Sequence, residues 1–214
     1  LKHVFNIAID PWEWTSYNPL SKFKMMDEPD REEFMREEQF NSIYALCPEV
    51  LQTLVFIAAN TGLRLSNLVY LKDSEVDIFG GWIKPLQTKN KKKKFSFPMT
   101  KQVHQILKRQ IALRSTLNIT SPYIFFRIGE KGFNDGDSFR HDTVSKQFKK
   151  VCVEAGFQQF HFHDLRHYFC AQLVRKGVDI RKIKELAGHS CLSTTMKYAH
   201  IDDQDLKESI KVLN

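Results

Sequence analysis

Residues 160–200 read FHFHDLRHYFCAQLVRKGVDIRKIKELAGHSCLSTTMKYAH. Two short polar clusters, His163-Asp164-Leu165-Arg166-His167 and Gly188-His189-Ser190, sit in helical surroundings, and Tyr198 follows. Leu165, Tyr168, Phe169 and Leu173 recur at helical spacing and predict an inward face. His163 and Arg166, three apart, then share another face of the same helix. Asp179 reads as the N-cap of a second helix whose apolar residues are Ile180, Ile183 and Leu186. Gly188 closes it in a left-handed turn that presents His189 at a helix end. Ser193 or Thr194 is expected to cap a further short helix carrying Tyr198. One arginine, two histidines and one tyrosine are thereby placed within reach of a common point. Arginine offers a planar fork of donors to phosphate oxygens, histidine donates a hydrogen bond or moves a proton near neutral pH, and tyrosine forms a covalent ester. A His–Arg helix face by itself is commonly solvated surface, and a lone tyrosine is commonly core. The ordered set is what points to a phosphodiester.

Working outward, 214 residues with 42% hydrophobic content suit one substantial domain, or one domain with a remnant of another. Lysine and arginine exceed the acidic residues by 32 − 25 = 7, and the pI is about 9.2, a balance that favours a polyanionic partner. Apolar runs fall short of the ~20 residues of a membrane span. The four cysteines are scattered without a CxxC pair and read as reduced thiols of a cytosolic protein. His161, His163 and His167 lack the acidic or cysteine partners of a metal site, so no metal is expected. Helices are expected from Arg36 to Leu46, over Glu49–Asn60 with a stop at Thr61-Gly62, from Arg64 to Tyr70, over Thr100–Arg114 and over Arg140–Ala155. Trp82–Leu86 and Phe95–Phe97 read as strands joined by the lysine-rich tip 88–94. Lys146, Lys149 and Lys150 point away from the apolar stripe, toward a polyanion. The glycine-rich segment 129–137 lacks the Gly-Lys-Ser/Thr of a phosphate loop and reads as surface.

NTGLRLSNLVYL at 60–71, HDLRHYF at 163–169 and LAGHSCLSTTMKYAH at 186–200, in that order, resemble the tyrosine recombinase (phage integrase) family over roughly residues 30–200. The resemblance implies an α+β fold, mainly helical, with a small antiparallel sheet or hairpin at one edge. It makes 31–214 a catalytic domain with a tail from about 201, and 1–30 the end of a core-binding domain plus its linker. The tail commonly docks on a neighbouring protomer in that family. The implied activity is site-specific DNA recombination through a 3′-phosphotyrosine intermediate, as in phage and other mobile elements. Arg64, Arg166 and His189 would meet the phosphate, Tyr198 would be the nucleophile, and Lys89 the general acid, with Lys91 next in register. His163 would be the base toward Tyr198 or its orienter, while His167 is assigned to helix packing. Asn67 stands where the family usually has an acidic residue, so the brace on Arg64 would lack a charge. No cofactor is required, the partner is double-stranded DNA, a homotetramer on DNA is expected, and the setting is the cytoplasm of a bacterium, with a bacterial or phage gene. The competing readings are a non-catalytic DNA-binding regulator of the same fold and a type IB topoisomerase.

Overall fold

The computed structural model describes residues 1–23, 34–85, 96–129 and 132–199. The chain divides into two units, Leu1–Glu32 and Glu33–Asn214. In the first, helix α1 (Lys2–Ile9) is followed by a returning loop. Asn18, itself buried, donates from its amide to the Lys2 carbonyl at 3.1 Å and to Asn6 Oδ1 at 2.6 Å. Trp12 and Trp14 meet with ring centroids 4.5 Å apart, and both remain exposed.

The second unit begins with α2 (Glu37–Leu46), where the Gln39 side chain reaches back to accept the Arg36 backbone N–H at 2.8 Å. Helix α3 (Glu49–Thr61) buries Leu51, Leu54, Val55, Ile57, Ala58, Ala59 and Thr61. A helix apolar on most of its circumference lies inside its domain, and α3 packs along α7 (Asp164–Arg175) through the middle of the core. It ends where Gly62 takes φ +63°. A Cβ there would stand 2.5 Å from Phe169 Cδ1, so glycine is demanded both by the left-handed turn and by the ring of α7. Helix α4 (Leu65–Val69) follows at once.

A single-turn 3-10 helix, Asp73–Glu75, leads into a three-stranded antiparallel sheet of β1 (Val76–Asp77), β2 (Trp82–Ile83) and β3 (Phe97–Pro98), in that spatial order. Ile83 pairs with Phe97 and both are buried, whereas Trp82, paired with Pro98, stays exposed. Pro98 is tolerated because β3 is an edge strand. Of the strand predicted over Trp82–Leu86, β2 covers Trp82–Ile83, with the Lys84 N–H still donating to the Glu75 carbonyl at 2.7 Å; Leu86 and Phe95 of the predicted strands lie outside the described residues. The lysine-rich connection, Lys89 included, lies outside the described residues, as does the tail from 200 onward.

Helix α5 (Lys101–Thr116) is capped by Thr100, whose hydroxyl accepts the Val103 N–H at 3.3 Å. Near its end Arg114 donates to the carbonyls of Ser121 (2.8 Å) and Tyr123 (3.1 Å) and pairs with Asp73, which moors the sheet to the helix. Helix α6 (His141–Glu154) buries Val144, Phe148, Val151 and Cys152. Its Lys149 does not point toward solvent for a polyanion, as the sequence suggested. The ammonium donates to the Gln158 and Phe160 carbonyls and meets His161 Nε2 at 3.2 Å. Those carbonyls, left without partners by the irregular loop before α7, draw the cation in. Helices α8 (Ile180–Ala187) and α9 (Ser193–Met196) complete the described part. Among the described residues, no helix is long and apolar enough to cross a membrane.

Candidate active site

Three chain turns build the site. The first is the α3–α4 turn, where Arg64 is the N-cap of α4 and remains exposed. The second is the start of α7. Buried Asp164 accepts the His161 backbone N–H at 2.6 Å, and His163 occupies the N-cap position. One turn further in, Arg166 is only 6% exposed, and its Nη1 donates to the Gly62 carbonyl at 2.7 Å. The left-handed turn that admits Phe169 therefore also supplies the acceptor for Arg166. Nη2 of Arg166 is buried with no hydrogen-bond partner among the described residues. A buried, unpaired donor on a cation is costly and normally answered by a ligand or an acceptor.

The third turn closes α8. Asp179 accepts the N–H of Arg181 (2.9 Å) and Lys182 (3.4 Å) as the predicted N-cap, and Gly188 takes φ +65°. His189 follows, 7% exposed, with Nδ1 2.8 Å from Thr195 Oγ1. Neither Ser193 nor Thr194 caps α9, contrary to the expectation. The Ser193 hydroxyl instead donates to Cys191 Sγ at 3.1 Å, Leu192 is the N-cap residue, and Tyr198 lies beyond the last helical residue, Met196.

Tyr198 is fully buried. Its ring lies 5.1 Å from that of Phe34, and Lys197 Nζ is 5.4 Å from its centroid. Its hydroxyl is 2.5 Å from His167 Nδ1, and the buried Cys170 thiol is near enough to act on it. His167, assigned by the sequence reading to packing, is thus the imidazole that touches the phenol. His163 meets His167 edge to face at 5.1 Å instead. The signal for this was present: His167 is four residues after His163, on the same helical face.

The electrostatics follow from crowding cations around buried Arg166 and His189, with Arg64 and His163 exposed. Burial, then the nearby Arg64, lowers the pKa of Arg166. Burial, then Arg166, Lys197, Arg64 and His163, pulls His189 down to about 4. Loss of hydration, then Arg166, lowers His163, with Arg64 and Lys197 adding to it and Asp164 opposing, although part of the ring still meets solvent. Both imidazoles are therefore neutral at pH 7. Tyr198 is raised above its ordinary 10.0 by burial, then by Cys170, against a pull downward from Arg166. Arg64, His163, Arg166 and His189 lie close enough to act on one another's charge, and Tyr198 close enough to feel that of Arg166. Lys89 lies outside the described residues. Among those residues, no group of three or more His, Cys, Asp or Glu side chains is arranged to hold a metal ion. Two guanidiniums and two neutral imidazoles around an unpaired N–H make a receptor for an oxyanion.

Residues 33–205 match the family described as Phage integrase family. A tyrosine recombinase of Thermosipho africanus is 29% identical over 187 residues, covering 85% of this chain and 62% of that protein. The tyrosine recombinase XerC of Staphylococcus saprophyticus is 30% identical over 151 residues, covering 70% of this chain and 48% of that protein. The crystal structure of XerA recombinase superposes with a TM-score of 0.66 at 25% identity, over 85% of this chain and 65% of that one. The helical domain with its small edge sheet and its ordered Arg, His-x-x-Arg, His and Tyr is that of a phage integrase, the family to which this chain belongs. The chain spans between about half and three fifths of the length of these curated relatives.

Proposed function

We propose that the chain is the catalytic portion of a site-specific DNA recombinase that cleaves and rejoins strands through a covalent 3′-phosphotyrosine. The observation that carries this is Arg166: a buried guanidinium with one nitrogen unsatisfied among the described residues, near the charge of Arg64 and the ring of His189. Such a site is unfavourable empty and becomes favourable around a phosphate. On this reading Tyr198 Oη attacks the scissile phosphorus, the P–O5′ bond breaks, and Lys89 protonates the leaving oxygen. Arg64, Arg166 and neutral His189 donate to the non-bridging oxygens as charge builds, a well-aimed donor being worth on the order of 3 kcal/mol. Neutral His163 accepts or relays the phenol proton, which must leave because burial holds Tyr198 protonated. In the second half a 5′ hydroxyl of another strand attacks the phosphotyrosine and restores a phosphodiester, so no external energy source enters. Paired guanidiniums supply the charge that metal ions supply in many other phosphoryl-transfer sites.

The partner in this reading is double-stranded DNA, engaged as a homotetramer. Residues 31–214 form the catalytic domain and 1–30 the end of a core-binding domain with its linker, a reading supported by the division of the chain at Glu32. A nicked suicide substrate tests it. The parent protein should become covalently attached to DNA in EDTA, and Tyr198→Phe should bind DNA without forming the adduct. An adduct with the phenylalanine variant would overturn the assignment.

A further inference from the structure

Tyr198 already has partners, and none belongs to the set that the family resemblance supplies. His167 Nδ1 stands 2.5 Å from its hydroxyl, and the buried Cys170 thiol is near enough to act on the phenol. His167 and Cys170 are three apart on α7, so one helical face presents both, with Arg166 beside them. Phe34 lies against the phenol ring, and Tyr198 has no exposed surface. In-line attack needs the hydroxyl about 3–3.5 Å from the phosphorus. A hydroxyl enclosed by protein does not meet that condition.

We propose that His167 is a positioning residue that, with the neighbouring Cys170 and the ring of Phe34, holds Tyr198 withdrawn, so that nucleophilic attack begins by exchanging the His167 hydrogen bond for the phosphate site. The inference rests on the recombinase reading for its consequence, but the hold itself is a property of the protein alone. The phenol O–H donates to His167 Nδ1, or in the other tautomer His167 donates to the phenol oxygen. The thiol is available as a neutral partner because burial pushes its pKa up to about 11. Phe34 closes the remaining side by contact between rings. Neither polar partner alone encloses the phenol; helix face and aromatic cover act together.

The experiment is O-acetylation of the DNA-free full chain by N-acetylimidazole, read at each tyrosine by mass spectrometry. Exposed Tyr17 and Tyr70 serve as internal references. Tyr198 should react far more slowly than either. His167→Phe keeps the ring volume and removes the acceptor, and should raise Tyr198 acetylation roughly five- to tenfold, the equilibrium factor of one hydrogen bond. His167→Asn, whose amide places an acceptor where Nδ1 stood, should retain the protection, a distinction that a purely space-filling role would not produce. Cys170→Ala should release Tyr198 in the same direction and decides the matter if His167→Phe does not fold. Unchanged acetylation in the folded variants, or an equal rise in His167→Asn and His167→Phe, would overturn the hold. Release of Tyr198 with no DNA adduct in any variant would instead overturn the recombinase reading and leave the hold intact.

Discussion

Arg166→Met should make the protein more stable while removing its use for the charge. The guanidinium is 6% exposed and, among the described residues, has a single hydrogen bond, to the Gly62 carbonyl, with Nη2 unsatisfied. Burial of the charge and the presence of Arg64 both act against it. An unsatisfied buried donor costs about 1–3 kcal/mol, and an incompletely answered buried cation costs several kcal/mol more. Against this, the one charge-assisted bond contributes about 1.5–3 kcal/mol, and losing it orphans the Gly62 carbonyl. Methionine keeps most of the apolar stem. The balance favours the variant by about 1.5 kcal/mol, in line with buried charges replaced by apolar residues of similar volume. For a chain of this length that is a rise of roughly 3–6 °C in Tm. Urea denaturation followed by tryptophan fluorescence, in DNA-free buffer of low ionic strength, measures it. Titrating inorganic phosphate completes the test: it should stabilise the parent protein by about 1.4 kcal/mol at ten times its dissociation constant and leave the variant unmoved. If Arg166→Met instead lost 1 kcal/mol or more, the guanidinium would be a strut of the fold, and the case for a vacant oxyanion receptor would fall with it.

Gly62→Ala should cost about 3 kcal/mol, about 1–2 from an L residue at φ +63° and about 1–3 from pressing its Cβ on Phe169. A urea midpoint showing less than 1 kcal/mol would mean that the ring moves aside freely. His189 is held down to about 4 against an ordinary 6.5, so between these values the unfolded chain binds a proton that the native protein refuses. Stability is then full above pH 6.5 and falls as the solution becomes more acidic. Relative to His189→Asn, the parent should lose roughly 2 kcal/mol between pH 7.5 and 5, and parallel pH profiles would contradict the assignment. Among the cysteines, Cys191 is exposed and drawn down to about 7 by hydrogen bonds from Ser193 and Thr194, while burial pushes Cys47, Cys152 and Cys170 up to about 11, 12 and 11. Iodoacetamide at pH 7.5 should therefore label Cys191 first, and prior labelling of any buried thiol in the folded protein would refute the ranking.

Much of the helical frame is legible because its signals are local. Gly62 and Gly188 stop helices in left-handed turns, Asp179 and Thr100 cap the helices that follow them, and the apolar stripe of α7 shows its inward face. Each of these depends on residues within about one turn of each other. The places where the reading missed are those where a nearby group competes for the side chain. Ser193 is an ordinary cap residue, but the Cys191 sulfur takes its hydroxyl. Lys149 has the look of a solvated lysine, but the Gln158 and Phe160 carbonyls of the following loop capture it.

By itself, then, the order of residues determined the helix starts and stops, the cationic surplus and the succession Arg64, His163, Arg166, His189, Tyr198. Only the folded chain decided what those side chains meet. The bond from Arg166 to the Gly62 carbonyl spans 104 residues, and the contact between His167 and Tyr198 spans 31. Periodicity reports a residue's neighbours one turn away, whereas burial, pKa and the partner of a hydroxyl are set by whichever distant segment the core brings alongside.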